Sequence, residues 1–352
     1  MSAVLPSSNL PPAAPVQRSE GVWHAAWRRL RSDHVGMASM AVVLLFVVLI
    51  VLTATHLVAR DWQREVGVPS APPTFLGPAA KGEAAAIEGP KGPNVDISDV
   101  DPLAPRYKEW EERALKYKTT EVPKADTLPF GGDRLGRDVL AKTLRGTQTS
   151  VFVGLLGAVI ATVIGTLLGA LAGFFGGKVG DALEWLYSVF TSIPDILLLL
   201  CFAAVFGRGV GSVAIILALV GWTGLYRQVR AEFLKHSVRD YVRSAEAIGA
   251  STTSRMFRHI LPNVSHVILV RMSLLVVGFI KFEVILSYLG LGVGVDDVSW
   301  GTMLGEAQTE LILGHWWQLV AATGFMAVFV TAFSLFTDAL RDALDPKLRG
   351  LE

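Results

Sequence analysis

Four ionisable side chains set inside long apolar runs, Asp195, Arg271, Lys281 and Glu283, are the residues of this chain whose placement could do chemistry. A charge surrounded by hydrocarbon is costly, so such groups face other protein or a water-filled path, where they act as solute contacts, proton relays or structural pairs. Asp195 follows Pro194, and its carboxylate is expected to point into a bundle or a cavity. There it would either meet a solute amino group or accept hydrogen bonds from backbone freed by the proline. Lys281 and Glu283 stand two apart, on different faces of a helix, so each is expected to meet another helix or reach toward the interface rather than pair with the other. Bond-breaking machinery is missing. The glycine-rich stretch Gly173-Phe-Phe-Gly-Gly-Lys178 has neither the spacing nor the Ser or Thr of a phosphate loop, so the chain is not expected to hydrolyse ATP. Its seven histidines show no His-Glu-x-x-His spacing, and no Gly-x-Ser-x-Gly elbow occurs.

The elements that must position these groups are helices in lipid. With 51% hydrophobic and 18% charged residues and a mean hydropathy of +0.46, the 352-residue chain is too apolar for an aqueous globule. Its 32 Lys and Arg balance 31 Asp and Glu, which excludes the concentrated basic surface of a nucleic-acid binder. The single cysteine, Cys201, cannot form an intramolecular disulfide. Six apolar runs of about span length fall at 35–59, 150–175, 185–206, 212–226, 264–289 and 316–339, predicting an all-α polytopic membrane protein with six transmembrane helices. The second run carries Gly165, Gly169 and Gly173, a small-residue stripe that admits a neighbouring backbone and places this helix centrally.

Basic residues cluster in the N-terminal flank (Arg28, Arg29, Arg31), in the loop after the fourth run and in the C-terminal tail (Arg341, Lys347, Arg349). Six spans place all three on one side, and the positive-inside rule makes that side cytoplasmic, with both termini. Residues 1–34 are expected to stay attached as a cytoplasmic tail, either unstructured or with an interfacial helix through Trp23, Ala26, Trp27 and Leu30. Residues 60–149 form a long external insert between the first two spans, Pro- and Gly-rich at first, with one short helix near Tyr107 to Tyr117. It is read mainly as a variable insert without a task of its own, and secondarily as a contact for an external partner. Residues 150–340 form the transmembrane core and 341–352 a cytoplasmic tail.

Within that core, the loop 238–262 reads Asp240-Tyr-Val-Arg-Ser-Ala-Glu-Ala-Ile-Gly249, then Arg255-Met-Phe-Arg-His-Ile-Leu-Pro262. Val242, Ala245, Ile248 and Gly249 predict a short helix with a smooth face, a sharp break at Gly249, and a second helix ending before Pro262. Such a helical hairpin can plug into a groove, or lie as a basic linker on anionic lipid.

This loop resembles the EAA motif of ABC importer permeases, with Ala245, Gly249, Leu261 and Pro262 in register. Arg243 stands where Glu is usual, Ser244 replaces the first Ala, and His259 takes the Ile position. Three further stretches resemble the peptide and nickel branch of that family, in particular its second permease. They are Gly132-Asp133-Arg-Leu-Gly136-Arg137-Asp138-Val-Leu before the second run; Gly290, Gly292, Trp300 and Gly301, with Glu283 upstream; and Asp338, Arg341, Asp342, Asp345 and Pro346 at the end. Residues 60–125 lie outside the resemblance.

The resemblance implies a type I ABC importer permease fold in the bacterial inner membrane. It implies pairing with a homologous second permease, two ABC ATPase subunits that hold ATP and Mg, and an external substrate-binding protein, with no cofactor or metal in this chain. Short peptides are the implied solute, with nickel chelates or glutathione-like compounds as alternatives, and 238–262 is the implied coupling element. The rival reading is a stand-alone secondary transporter or channel working through Asp195, Lys281 and Glu283. Such proteins show internal repeats and broken helix pairs, neither of which is visible in the sequence.

Overall fold

A computed structural model describes residues 22–78, 101–116 and 123–344, and these are helical, with isolated β-bridges only. The N-terminal flank forms α1 (Val22–Ser32), which Asp33 separates from α2 (His34–Ala54) by capping it, its carboxylate accepting from Val35 N at 3.0 Å. Leu30 of α1 is buried against Ala339 and Ala343. In α2, Leu44, Leu45, Val47, Val48 and Val51 are exposed, an apolar face that lipid would cover.

The short helix expected near Tyr107 is α3 (Tyr107–Lys116). The second predicted span is longer than its apolar run: α4 covers Val139–Phe175, roughly 55 Å at 1.5 Å per residue. Residues 139–149, assigned from sequence to the insert, are its first three turns. Lys142, Arg145 and Gln148 hide these turns from a hydropathy reading, yet Asp138 caps them, accepting from Leu140 N at 2.8 Å, and Lys142 is buried.

The small-residue stripe does what its spacing predicts. A Cβ added at Gly157, Gly165, Gly169 or Gly173 would stand 3.1, 2.7, 2.7 or 2.5 Å from the carbonyl oxygens of Ala214, Trp222, Tyr226 and Arg230 of α7 (Val210–Ser237). The paired positions advance together, so α4 and α7 run parallel. Gly169→Leu is therefore expected to force the two backbones apart at a cost of about 1–3 kcal/mol, whereas Gly324→Leu, where an added Cβ meets nothing within 4 Å, is expected to be neutral. Thermal unfolding in detergent checks the pair, and equal melting temperatures would refute the close approach.

Parallel neighbours require the chain between them to turn back, and it does so in two pieces, α5 (Gly177–Thr191) and α6 (Asp195–Phe206), bent by 86°. The continuous span expected at 185–206 is thus broken. Pro194, at φ −56° and ψ 131°, has no N–H to donate and forces Ile193 out of helical geometry. A short helix α8 (Asp240–Ala247) and a single turn α9 (Thr252–Ser254) follow α7, then a π-helical segment Arg255–Ile260 that runs directly into α10 (Leu261–Tyr288). The last elements are α11 (Trp300–Ile312) and α12 (Trp317–Leu344).

Among the described residues, by length and composition, four helices can cross a membrane, α2, α4, α7 and α12, or five crossings if the bent pair is one span, against six runs expected from sequence. The core lies where α4, α7 and α10 meet, with Leu217, Ile216, Ile280, Leu286 and Trp300 buried there.

Candidate functional site

Two polar assemblies lie at opposite ends of α4. At its N-terminal end, Asp133 is fully buried in the turn before the helix. Its Oδ1 accepts from Leu135 N (2.9 Å) and Arg137 N (3.0 Å); its Oδ2 accepts from Arg137 Nε (2.7 Å) and Lys142 Nζ (2.8 Å). Burial pushes the Asp133 carboxyl up, but Lys142 and Arg137 together outweigh it and hold it below the ordinary 3.8. Lys142 also pairs with Glu306 of α11, whose Oε2 accepts from Gln318 Nε2 of α12 at 3.1 Å. Trp317 Nε1 donates to Gly132 O at 2.7 Å, and Arg137 lies over Trp62 at 5.9 Å.

Gly136 is required by this turn: at φ +78° an added Cβ would stand 2.1 Å from Gly67 O, and Val66 N and Gly67 N both donate to Gly136 O. The signature residues Gly132, Asp133, Gly136, Arg137 and Asp138 thus form one latch that ties residues 60–78 and 123–138 to α11 and α12. The described flanks of the insert, residues 60–78 and 123–138, are accordingly packed despite their Pro- and Gly-rich composition.

One layer further along α4 sits Glu283 of α10, 0% exposed. Its Oε1 accepts from Ser287 Oγ at 2.6 Å, with the Ser150 and Ser299 hydroxyls beside it, while its Oε2 is buried without a formed hydrogen bond. It meets another element, as one of the two sequence readings had it, and does not reach the interface. Trp300, equally buried, donates from Nε1 to Thr147 Oγ1 and from N to Ser150 Oγ, each at 3.2 Å. Gly301 closes the layer, since an added Cβ would meet Val284 O at 2.5 Å. Gly290 and Gly292 shape the turn after α10, where Gly209 N donates to Gly292 O at 3.1 Å.

The loop 238–262 forms the hairpin at the far end of α4. Val242, Ala245, Met256 and Ile260 are buried, and Val242, Met256 and Ile260 pack with Leu225, Val229 and Phe233 of α7 and Ala170 of α4. Gly249, at φ +87°, makes the break. The second arm does not end before Pro262, as expected, but continues through it. The π-helical widening absorbs the hydrogen bond that the proline cannot donate, with Leu261 N donating to Met256 O and Asn263 Nδ2 to His259 O (2.6 Å).

Ala245 faces the chain's own core at 4% exposure. The outward surface consists of Arg243, Ser244, Glu246, Ala247 and the tip Ile248, 85% exposed, with His259 and Leu261 half-buried and Pro262 exposed on the other arm. The acid missing at Arg243 has a counterpart one turn on. Glu246 Oε1 pairs with Arg255 Nη1 at 2.6 Å, and Arg255 lies 5.5 Å over Phe174, pinning the hairpin to α4.

Asp195 is exposed at the break midway along the bent pair, in the first turn of α6. Asp338, Arg341 and Asp342 are exposed on the last turns of α12, and Asp345 and Pro346 lie outside the described residues. Sequence reasoning missed Lys142, Glu306, Gln318 and Ser150. The available signal was Lys142 itself, a cation within one turn of Asp138 and directly ahead of an apolar run.

Residues 165–350 match the family described as binding-protein-dependent transport system inner membrane component, and residues 21–73 match the N-terminal TM domain of oligopeptide transport permease C. The oligopeptide transport system permease protein OppC of Bacillus subtilis (strain 168) is 35% identical over 252 residues, 70% of this chain and 81% of that protein. OppC of Escherichia coli (strain K12) is 40% identical over 220 residues, 62% of this chain and 72% of that protein. A chain of the MetNI methionine ABC transporter in inward facing conformation aligns with a TM-score of 0.48 at 16% identity, covering 58% of this chain and 96% of that one. This multi-pass membrane protein belongs to the family of binding-protein-dependent transport system inner membrane components, as a permease of the oligopeptide and dipeptide C type.

Proposed function

We propose that this chain forms half of the translocation path of an ATP-driven importer of short peptides in a bacterial inner membrane. It pairs with a homologous second permease, couples to two ATPases that hold ATP and Mg, and receives peptide from an external binding protein. The observation that carries this reading is the hairpin 238–262, which is anchored on α4 and α7 from within and presents Ile248 outward.

Six crossings are supported by helix direction. α4 and α7 run parallel with the bent pair returning between them, and α10 carries the chain back from the hairpin end to the latch. α12 then runs from Trp317 at the latch to Ala339 beside Gly36, at the start of α2. That path puts the hairpin and the N-terminal end of α2 on one side, read as cytoplasmic, and the latch on the other. ATP-driven closure of the ATPases would push the hairpin, and α4, α7 and α10 would carry the tilt to the latch as one bistable rearrangement. Asp195, at the α5–α6 break, is the proposed contact for a peptide amino group.

Affinity purification of the tagged chain from its native membrane is expected to recover an ATPase subunit, and reconstituted uptake is expected to stop when ATP is depleted. Uptake that persists without ATP and without a co-purified ATPase would refute the importer reading.

A further inference from the structure

We infer that one face of α10 lines the aqueous path and receives the anionic end of the solute, a carboxylate; naming the solute as a peptide rests on the import reading above. Arg271, Leu274, Gly278, Lys281, Ile285 and Tyr288 recur at alternating steps of three and four, so they share one side of the helix. That side is open in this chain. Lys281 is exposed, Leu274, Ile285 and Tyr288 are 41%, 40% and 44% exposed, Arg271 is half-buried, and a Cβ added at Gly278 meets nothing within 4 Å.

Lipid is a costly cover for a face that carries two cations so far into a 28-residue helix. Neither cation forms an ion pair among the described residues, and Arg271 Nε is buried without a hydrogen-bond partner. The guanidinium is nevertheless given room, because Arg271 Nη2 would stand 2.5 Å from a Cβ at Gly224 of α7. Two unpaired cations about 15 Å apart along the helix, with no acid on the same stripe, make a surface that attracts carboxylate and repels ammonium. Arg271 is the group shaped for two-point contact with a carboxylate.

The test uses the complete transporter complex in vesicles, with Cys201→Ser and Gly278→Cys as the reporter between the two cations. With each rate divided by that reagent's rate on a small free thiol, a sulfonate-bearing thiosulfonate is expected to modify Gly278→Cys about ten-fold faster than a trimethylammonium one. Adding Arg271→Gln and Lys281→Gln is expected to bring the two rates within about two-fold. A reporter that reacts with neither reagent, or a preference that survives neutralisation, would overturn the inference. If Gly278→Cys does not assemble, Leu274→Cys reports on the same stripe.

In the uptake arm, Arg271→Gln is expected to slow a tripeptide with a free carboxylate about ten-fold while sparing its C-terminal amide; equal slowing of both would overturn the solute assignment. Should the wild-type complex take up no peptide at all, the import reading fails, and the thiol rates still decide the charge of the path.

Discussion

Lys142→Met is expected to destabilise the protein by about 3–5 kcal/mol, because it leaves the Asp133 and Glu306 carboxylates at the latch without the ammonium that joins them. Asp133 is 0% and Lys142 1% exposed, so solvent does little to screen the loss. The sign with pH separates this from a simple packing defect. In the wild type the Asp133 carboxyl is held below 3.8, so its contribution is fully present above that value and fades only as pH falls through the lower folded value. Between pH 7 and 5 its contribution therefore stays constant. In the variant the Asp133 carboxylate, without its ammonium, takes up a proton more readily, and a raised folded value means stability is regained as pH falls. Melting temperatures in detergent at pH 7 and pH 5 check this, with Asp133→Asn added to Lys142→Met expected to restore part of the loss. A deficit equal at both pH values would refute the charge-based account.

Ile248→Asp is expected to abolish ATPase co-purification and ATP-dependent uptake while leaving the melting temperature unchanged. The side chain is 85% exposed on the free chain, so nothing inside the fold depends on it. Burying an isoleucine at an interface contributes about 1.5–3 kcal/mol, and its loss corresponds to roughly ten- to a hundred-fold in affinity before the cost of burying a carboxylate is added. The neighbouring Gly249→Trp is expected to lose uptake for a second reason, since a non-glycine residue at φ +87° costs about 1–2 kcal/mol and reshapes the tip. Gly249→Asn, which tolerates that region, should retain uptake. Ala245→Leu makes the contrast: its site faces the chain's own core, so it should lower the melting temperature first. Normal uptake by Ile248→Asp would remove the hairpin from the coupling role.

The sequence by itself determined the solvent, the helical class and the family. Runs of about 20 apolar residues have one good explanation, and the stripe Gly165, Gly169, Gly173 named a close helix contact before its partner α7 was known. It also named residues at both ends of α4, through the motif residues around Asp133 and around Gly249. Where hydropathy and function diverge, only the tertiary structure decided. The first turns of α4 are polar because Lys142 is partnered by Glu306, 164 residues away, and no local window contains that partner. The run 185–206 is uniformly apolar, yet one proline bends it by 86°, a steric effect that hydropathy does not measure. Ala245 and Ile248 stand three apart on one smooth helical face in the sequence reading, and only the packing of α8 onto α7 turns the alanine inward and leaves the isoleucine out.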